Sequence, residues 1–343
     1  MGLNEKKLAS RYPKAEASNK NDNGEVNSEL DQLINRCPLC GNRQVHELEK
    51  IDTKHIIKLY SQGFKVSISD EFADCQEVSL NHCEVCDLIF YFPMITGSED
   101  FYRQLQKFDW YYMNDKNEYE YAKKFIQASD DVLEIGCGKG VFSKKIAFHS
   151  YLGLEFSPEA IKSAEENGVC VLNESIERHA QKNAKKYDVA FAFQVLEHIA
   201  DIESFIKSCL VCLKPHGILI FSVPSSDSFG KYAVNSILEM PPHHVTRWSD
   251  RALESIGTYY HLDIVDVWHE PLQPAHKLFY AQTIFLNAFL RFFKIRRKSI
   301  AVGMLARSLM KISGVLARIF SYGMVGPETL PKGISVTAIY KKK

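Results

Sequence analysis

The chain has 343 residues, 45% of them hydrophobic, which suits one α/β domain with an appendage and a substantial buried core. Its 42 basic and 42 acidic residues cancel, which disfavours a globally basic protein that binds nucleic acid, although a local basic patch remains possible. The start of the chain has no apolar signal region, and no apolar run is long enough for a membrane-spanning helix. We therefore expect a cytoplasmic protein whose nine cysteines are reduced thiols or metal ligands.

The first segment, residues 1–35, is polar and rich in Asn, Lys, Glu and Ser. Such a segment cannot bury enough apolar surface to offset the entropy lost on ordering. We therefore predict a flexible tail that ends before the first cysteine motif.

Two Cys-x-x-Cys motifs follow, at Cys37 and Cys40 and at Cys83 and Cys86. Each motif can form a knuckle that gives two thiolates to one ion, and two knuckles complete a tetrahedral zinc site. Because four cysteines leave no coordination position open, the expected zinc is structural. Redox-active or incidental thiols are the alternative. Substitute ligands are also possible, namely His82 and Cys75.

The segment between the two motifs is longer than in many zinc ribbons, and the alternating residues 64–68 predict one strand within it. We predict that residues 36–98 form a small zinc-ribbon-like β module. Residues 99–125 are rich in Phe and Tyr, which favours a helical linker that packs this module on the next domain. The same aromatic residues could also cover a ligand as a lid, and the two roles are compatible.

A glycine-rich turn follows the apolar strand in residues 131–140, DVLEIGCGKG. Glycines at alternate positions let the backbone approach a ligand before a helix begins near Val141. The dinucleotide fingerprint G-x-G-x-x-G would require glycine at position 141, where valine stands. On this turn alone, a purely structural turn in another kind of α/β protein remains the alternative.

From about Tyr119 apolar segments alternate with helical patterns, which predicts a parallel sheet with crossover helices. Glu155 ends the second strand at the spacing expected of a carboxylate that binds ribose hydroxyls. Ser157 and Pro158 then provide an N-cap and a first helical residue. After the first strand, the predicted strands are residues 151–155, 169–172, 187–193, 216–224 and, last in the sheet, 334–340.

The pattern E-x-G-x-G-x-G at residues 134–140 and the following segments, in this order, resemble the class I S-adenosylmethionine (SAM)-dependent methyltransferases over about residues 120–270. The resemblance implies an α/β fold, a Rossmann-like methyltransferase sheet with helices on both faces, within residues 126–343. It also implies that the methionine end of SAM lies near Glu134 and its adenine near residues 173–175. The implied cofactor-binding residues are Glu134, Gly136, Cys137, Gly138, Gly140, Glu155, Phe156, Ser157, Glu174, Ser175 and Gln194.

Two further segments, residues 195–198 (VLEH) and 241–249 (PPHHVTRWS), resemble a branch of the family that acts on small molecules. That branch includes O-methyltransferases of sugars, quinones and lipids. A front module with Cys-x-x-Cys motifs also resembles bacterial enzymes of polysaccharide and nucleotide-sugar modification. The resemblance therefore implies O-methylation of a hydroxyl on a sugar, glycan or glycolipid precursor, with a small molecule or glycan as the acceptor.

Histidines near the predicted ligand-binding edge are the candidates for proton removal. An alcohol is a weak nucleophile until a base takes its proton, and the ordinary pKa of histidine suits that task. His243 and His244 follow the fifth strand, near the carboxyl edge where open α/β sheets bind ligands. One of them is our first candidate for the general base, and His198 is the second. Alternatively, the pair orients a loop or contacts the acceptor.

An insertion precedes the last strand, at about residues 271–327, and it contains nine Lys or Arg residues and no acid. It is also aromatic and amphipathic. We expect it to cover the acceptor pocket or to form a dimer contact. The alternative is a peripheral membrane contact through residues 280–320, because basic amphipathic helices bind anionic lipid surfaces. The sequence has no signal for the oligomeric state.

Other functions fit parts of this pattern. Sugar C-methyltransferases also carry an N-terminal cysteine module, but we expect an additional C-terminal domain in them. RNA methylation would use the zinc module to hold RNA, which the neutral net charge disfavours. DNA methyltransferases that act on the amino group of a base carry an Asn/Asp-Pro-Pro-Tyr/Phe motif after the fourth strand. This chain has no such motif there, so we expect no DNA substrate. A SAM-binding, membrane-docked scaffold without catalysis is the non-enzymatic alternative.

Overall fold

The computed structural model describes residues 36–108, 111–321, 323–324 and 331–343. The predicted tail lies outside the described residues, and so does the end of the predicted insertion, residues 325–327. The strands are β1 (Val45–Asp52), β2 (Glu77–Cys83), β3 (Ile89–Phe92), β4 (Asp131–Ile135), β5 (Ser150–Leu154), β6 (Val171–Leu172), β7 (Tyr187–Phe193), β8 (Leu213–Pro224), β9 (Thr246–Arg247), β10 (Leu262–Pro271) and β11 (Lys332–Lys342).

The helices separate these strands along the chain. They are α1 (Thr53–Phe64), α2 (Glu99–Leu105), α3 (Asn117–Ala122), α4 (Pro158–Glu166), α5 (Ile176–Ala180), α6 (Ile202–Cys212), α7 (Asp250–Tyr259), α8 (Lys277–Phe292) and α9 (Met304–Ser321). Within the described residues, no helix is both long enough and apolar enough to span a bilayer.

The larger sheet has seven strands in the order β10-β11-β8-β7-β4-β5-β6. Strands β4 to β8 run parallel to their neighbours among themselves, and β11 pairs antiparallel with both β8 and β10. Alternate residues of β7 point to opposite faces: Phe191 packs with Tyr119 of α3, and Ala190 packs in the cluster that contains Phe205 of α6. The predicted α/β sheet with helices on both faces is confirmed.

The smaller sheet has the order β1-β2-β3-β9. Three of its strands come from the predicted module, but the fourth, β9, follows the two histidines of residues 243–244. Phe90 pairs with Thr246, and Ile89 pairs with Arg247. A two-residue strand carries no periodic signal, so nothing in the sequence predicts this pairing. The module is thus hydrogen-bonded to the part of the chain that carries the candidate catalytic residues.

Several local predictions need correction. The strand predicted at residues 64–68 is wrong, because Phe64 is the last residue of α1 and Lys65 ends that helix in a left-handed conformation. Ile56 and Tyr60, four residues apart, form the buried face of this helix. After the glycine turn, the expected helix is only a 3₁₀ turn, Phe142–Lys145. The third predicted strand shrinks to Val171–Leu172, and β10 was not predicted at all.

Other local predictions are confirmed. The Ser157 hydroxyl accepts a hydrogen bond from the amide of Ala160 and so caps α4. The last strand of the chain, β11, lies inside the sheet between β8 and β10. Helices α8 and α9 lie between β10 and β11 in the chain.

Candidate active site

A cleft of about 990 Å³ lies at the carboxyl ends of β4, β5, β7 and β8. This is the edge at which open parallel sheets bind their ligands, because loops from neighbouring strands meet there. Its lining includes residues from the glycine turn and from the two candidate histidine segments. One continuous cleft therefore joins the predicted cofactor residues to the predicted catalytic residues.

The glycine turn is held in a conformation that favours glycine. Gly136 and Gly138 have φ angles of 70° and 53°. A Cβ atom on Gly136 would lie 2.6 Å from Cγ2 of Val195, and one on Gly138 would lie 2.9 Å from the Tyr112 ring. The turn thus needs small residues for close packing as well as for backbone conformation. Cys137 and Gly140, the other predicted members of this turn, are buried.

Glu134 is the penultimate residue of β4, and its side chain is buried at the wall of the cleft. Burial raises the pKa of its carboxyl to about 8, although the hydroxyl of Tyr151, which donates a hydrogen bond to it, opposes that shift. A cationic ligand group in the cleft would favour the ionised form. Glu134 is therefore placed to receive an ammonium group, as the resemblance implies.

Glu155 ties the glycine turn to the loop after β5. Its carboxylate accepts hydrogen bonds from the backbone amides of Gly138 at 2.8 Å, Phe156 at 2.8 Å and Ser157 at 2.9 Å. The Phe156 side chain is 62% exposed and lines the cleft. A fixed carboxylate beside an open aromatic ring can bind the ribose hydroxyls and the base of a nucleoside.

The remaining predicted cofactor residues differ in their placement. Gln194 lines the cleft, and its side-chain amide donates to Ser335 Oγ at 3.3 Å. Glu174 accepts a hydrogen bond from His179 at 2.6 Å, and Ser175 caps α5. Their neighbour Asn173 lines the cleft in this region. Asn173 is the better candidate for contact with the base end of the cofactor.

The structure brings together the three predicted catalytic histidines. The ring centroids of His198, His243 and His244 lie between 4.4 and 4.8 Å from one another. All three rings line the cleft. We call these residues the histidine cluster.

Backbone carbonyls fix the tautomers of two members of the histidine cluster. Nδ1 of His198 donates to the carbonyl of His243 at 2.6 Å, and Nδ1 of His243 donates to the carbonyl of Leu238 at 3.0 Å. With Nδ1 carrying the proton, Nε2 of each ring keeps its lone pair. The cluster therefore presents two unprotonated imidazole nitrogens.

The third member, His244, has a different electrostatic environment. Its Nδ1 lies 3.5 Å from Glu239 and its Nε2 lies 3.9 Å from Glu197. Burial favours the neutral ring, but the two carboxylates outweigh it and raise the pKa of His244. Burial, together with the nearby His244 charge, lowers the pKa of His198 to about 3 and lowers that of His243 as well. The two carboxylates thus favour the protonated form of His244, whereas burial favours the neutral forms of His198 and His243.

Glu197 lies at the base of the histidine cluster, 1% exposed. Neither oxygen of its carboxylate has a hydrogen-bond partner among the described residues. Burial raises its pKa to about 7, and the charge of His244 opposes that shift. A carboxylate in this position can stabilise a new positive charge on a neighbouring ring.

The ligand atoms of the histidine cluster lie within 4.8 Å of one another, a spacing that a metal ion could also bridge. A metal ion would require all three rings to be neutral. His244 lies between two carboxylates that favour its charged form. The two carboxylates would stabilise a cation at this ring, whether a proton or a metal ion.

Several residues of the site have no clear signal in the sequence. Tyr102 of the aromatic segment places its hydroxyl 3.3 Å from Nδ1 of His198. Glu118, 3% exposed, accepts from the Gln194 amide at 3.4 Å. Glu239, which pairs with His244, lies in an irregular segment. Only the aromatic composition of residues 99–125 indicates that this stretch covers a ligand.

The four predicted metal ligands form a second cluster, outside the cleft. The sulfur atoms of Cys37 and Cys86 lie 3.4 Å apart, those of Cys40 and Cys83 lie 3.5 Å apart, and all four lie within 4.8 Å of one another. Tetrahedral zinc with bonds of about 2.3 Å separates its sulfur ligands by about 3.8 Å, so this donor set fits zinc.

The two alternative ligands are engaged elsewhere. Nε2 of His82 lies 2.7 Å from Asp87, and the Cys75 thiol donates to the carbonyl of Glu77. The four-cysteine set is therefore preferred over a set that contains either of them.

Hydrogen bonds connect the cysteine module to the histidine cluster. The amide of Tyr91 in β3 donates to the carbonyl of Val245, and the amide of Val245 donates to the carbonyl of Glu197, both at 2.9 Å. Arg247 donates to the Glu239 carbonyl at 3.0 Å. The backbone just after His244 is thus held between the module and the floor of the cleft.

The middle of the chain is similar to a known protein family. Residues 105–267 match a family model described as a methyltransferase domain. A ubiquinone biosynthesis O-methyltransferase from Serratia proteamaculans is 35% identical over 99 residues, which are 26% of this chain and 41% of that protein. One from Citrobacter koseri is 34% identical over the same shares. The chain thus spans less than half the length of the curated relatives it matches.

Solved structures with a similar fold are more distant in sequence. A SAM-dependent methyltransferase from Thermotoga maritima is 17% identical with a TM-score of 0.45, and the match covers 71% of this chain and 98% of that one. One from Archaeoglobus fulgidus is 18% identical with a TM-score of 0.41, covering 72% and 95%.

Proposed function

We propose that this protein is a class I SAM-dependent methyltransferase that methylates a hydroxyl of a sugar, glycan or glycolipid precursor. The match of residues 105–267 to a methyltransferase-domain model supports the transferase class. The observation that carries the proposal is the cleft itself. It joins the glycine turn and Glu155 to a cluster of three imidazoles, two of which keep a free nitrogen. An alcohol acceptor needs such a base, whereas a neutral amine already has its own lone pair.

SAM, when bound, supplies an electrophilic methyl group. The residues that fit it are Glu134 for its ammonium group, Glu155 for its ribose hydroxyls, and Phe156 and Asn173 for its adenine. Because Glu155 is fixed by three backbone amides, it needs no rearrangement before it binds a ligand. The main contribution of these residues is alignment, which is the largest requirement of an in-line displacement.

Proton removal is assigned to the histidine cluster. Nε2 of His243 or of His198 accepts the hydroxyl proton, since both nitrogens carry a lone pair in the fixed tautomers. His244, whose protonated form the carboxylates of Glu239 and Glu197 favour, acts as a positioning residue. The buried carboxylate of Glu197, 3.9 Å from Nε2 of His198, stabilises the imidazolium that forms.

The cysteine cluster is proposed to hold structural zinc through Cys37, Cys40, Cys83 and Cys86. Zinc at this site would fix the end of β2 and the start of β3, because Cys83 is the last residue of β2 and Cys86 precedes β3. Strand β3 in turn holds the backbone after His244 through β9. The zinc module thus serves the active site by positioning it.

The choice of acceptor class rests on the O-methyltransferase relatives and on the resemblance of residues 195–198 and 241–249 to small-molecule enzymes. Sugar C-methylation would use the same base on a carbon acid. RNA methylation would use the cysteine module as a holder for nucleic acid. Both remain outcomes of the tests.

Paired substitutions test the separation of cofactor binding from chemistry. Glu155→Ala should weaken SAM binding in calorimetry. The double substitution of His198 and His243 by Ala, which removes both proposed bases, should abolish turnover while SAM still binds. His149→Ala is the matched control, because this histidine is 74% exposed at the opposite, amino-terminal edge of the sheet. Normal turnover in the double variant would refute the assignment of the base to this pair.

A further inference from the structure

Helices α8 and α9 and the connecting residues 293–303 form a hairpin on the surface, which we call the basic hairpin. Phe285 of α8 contacts Phe320 at the end of α9, with ring centroids 5.0 Å apart. Leu290, near the end of α8, packs with Leu309, near the start of α9. The two helices are therefore antiparallel, and their shared apolar side is already buried.

The opposite side of the basic hairpin leaves large apolar side chains in solvent. The exposed fraction is 87% for Met304, 80% for Phe292 and 65% for Ile319. Among the described residues, most of the strongly exposed large apolar side chains belong to this one element. The others in the basic hairpin are Leu278, Phe279, Phe293, Val302, Leu305, Ile312, Val315 and Phe320. Clustered exposure of this kind marks an interaction surface.

The residues of α9 divide into three rows along the helix. Leu309, Ser313 and Ala317, spaced by four, form the buried row. At about 100° per residue, a second row of exposed apolar residues contains Leu305, Ile312, Val315 and Ile319. A third, exposed row lies beside it and contains Arg307, Lys311 and Arg318. An apolar stripe flanked by cations is the arrangement of a helix that lies in a lipid interface.

The charge of the insertion limits what can cover this surface. Residues 271–327 contain nine Lys or Arg and no Asp or Glu. A second copy of the chain, packed face to face, would bring two basic rows together, which is unfavourable. A nucleic acid would be contacted through cations and polar groups, not through a stripe of Ile, Val and Leu. An anionic lipid surface offers acyl chains to the apolar row and phosphate groups to the basic row.

The basic hairpin starts at the rim of the cleft. Gln273 and His276 line the cleft, and α8 begins at Lys277. We propose that the basic hairpin docks flat on an anionic membrane surface, with the apolar row of α9 at the level of the acyl chains and the basic row at the phosphates. This proposal stands on the hairpin alone and does not depend on the methyl acceptor.

Vesicle binding by the full chain tests the proposal. The protein should co-sediment with vesicles of phosphatidylcholine and phosphatidylglycerol, and much less with vesicles of phosphatidylcholine alone. Replacing Arg307, Lys311 and Arg318 with Gln should lower the partition coefficient about a hundredfold, because each cation near an anionic surface contributes roughly fivefold. Replacing Ile312, Val315 and Ile319 with Ser should lower it on the charged vesicles as well.

Matched controls are available on another surface. Val211→Ser removes an exposed valine from α6, and Lys162→Gln removes an exposed cation from α4. Neither control should change vesicle binding, and all variants should keep the melting temperature and the SAM affinity of the parent protein.

Two results would overturn the proposal. One is vesicle binding that is absent, or that is the same for the charged and the neutral vesicles. The other is a dimer in sedimentation that the Ser variant converts to monomer without any change in vesicle binding, which would assign the apolar row to a second copy.

Discussion

Replacing Gly136 with alanine should destabilise the protein more than the same change at Gly168, although both glycines have a positive φ. The angles are 70° and 77°, so both substitutions carry a similar backbone strain of about 1–2 kcal/mol. The two positions differ in the room available for a side chain. The new Cβ at position 136 would lie 2.6 Å from Cγ2 of Val195, whereas a Cβ at position 168 would have nothing within 4 Å. The clash should add about 1–3 kcal/mol at position 136 only.

Urea denaturation followed by circular dichroism measures this difference. Gly136→Ala should also weaken SAM binding in calorimetry, because Val195 adjoins Gln194 in the cleft lining, and a shifted valine displaces that wall. Gly168→Ala should leave SAM affinity unchanged. A double substitution with Val195→Ala should restore part of the lost stability at position 136, since it removes the clashing methyl group.

Equal losses of stability at the two positions would refute this reasoning, because strain alone would then account for both. So would a double variant whose loss equals the sum of the two single losses. Either outcome would mean that close packing against Val195 does not constrain the glycine turn.

Three further predictions concern ionisation and zinc. Burial raises the pKa of Glu134 to about 8, and a bound ammonium group favours its carboxylate form. Below pH 8, SAM binding should therefore release a proton, and the affinity measured by calorimetry should fall by up to about tenfold per pH unit. Glu134→Gln should remove this pH dependence. Cys83→Ser should lower the zinc content measured by mass spectrometry. It should also reduce kcat/KM by about 10²-fold, because the histidine cluster is misplaced, while the affinity for SAM stays unchanged. Full turnover by the zinc-free protein would contradict this prediction. Because the pKa of His198 is lowered to about 3 and that of Glu197 is raised to about 7, kcat/KM for the acceptor at saturating SAM should fall below about pH 7 through protonation of Glu197, and Glu197→Gln should remove that step; an inflection near pH 6.5 that persists in this variant would argue against a neutral histidine base.

Local patterns in the sequence predict much of the cofactor side of the site. The glycine turn and Glu155 each follow a strand directly, so their place at the carboxyl edge depends only on a parallel sheet. The sheet itself is apparent from alternating strands and helices. The four cysteines can likewise be predicted as metal ligands, because the spacing within each motif suffices to define a knuckle.

The histidine cluster is only partly predictable. His198 and His243 are 45 residues apart, and each can be placed at the sheet edge from its preceding strand. Their tautomers depend on the carbonyls of Leu238 and His243, and the charge of His244 depends on Glu239. These contacts arise in an irregular loop, where no periodicity constrains side-chain positions.

Tertiary packing overrides local signals in the front module. The alternation at residues 64–68 resembles a strand, yet the buried face of α1 extends the helix to Phe64. Strand β9 is too short to be recognised, and it nevertheless connects the module to the site. Contacts between distant segments, rather than local propensity, decide both cases.

The central claim is that this chain transfers a methyl group to a sugar, glycan or glycolipid hydroxyl. The most direct test incubates the purified protein with methyl-labelled SAM and an extract separated into nucleotide-sugar, glycan, lipid, RNA and protein fractions. We predict label in a sugar, glycan or glycolipid fraction, stable to conditions that cleave esters, and no label with the variant that lacks His198 and His243. Label confined to RNA or protein, or the absence of label from every fraction while SAM binds, would contradict the account.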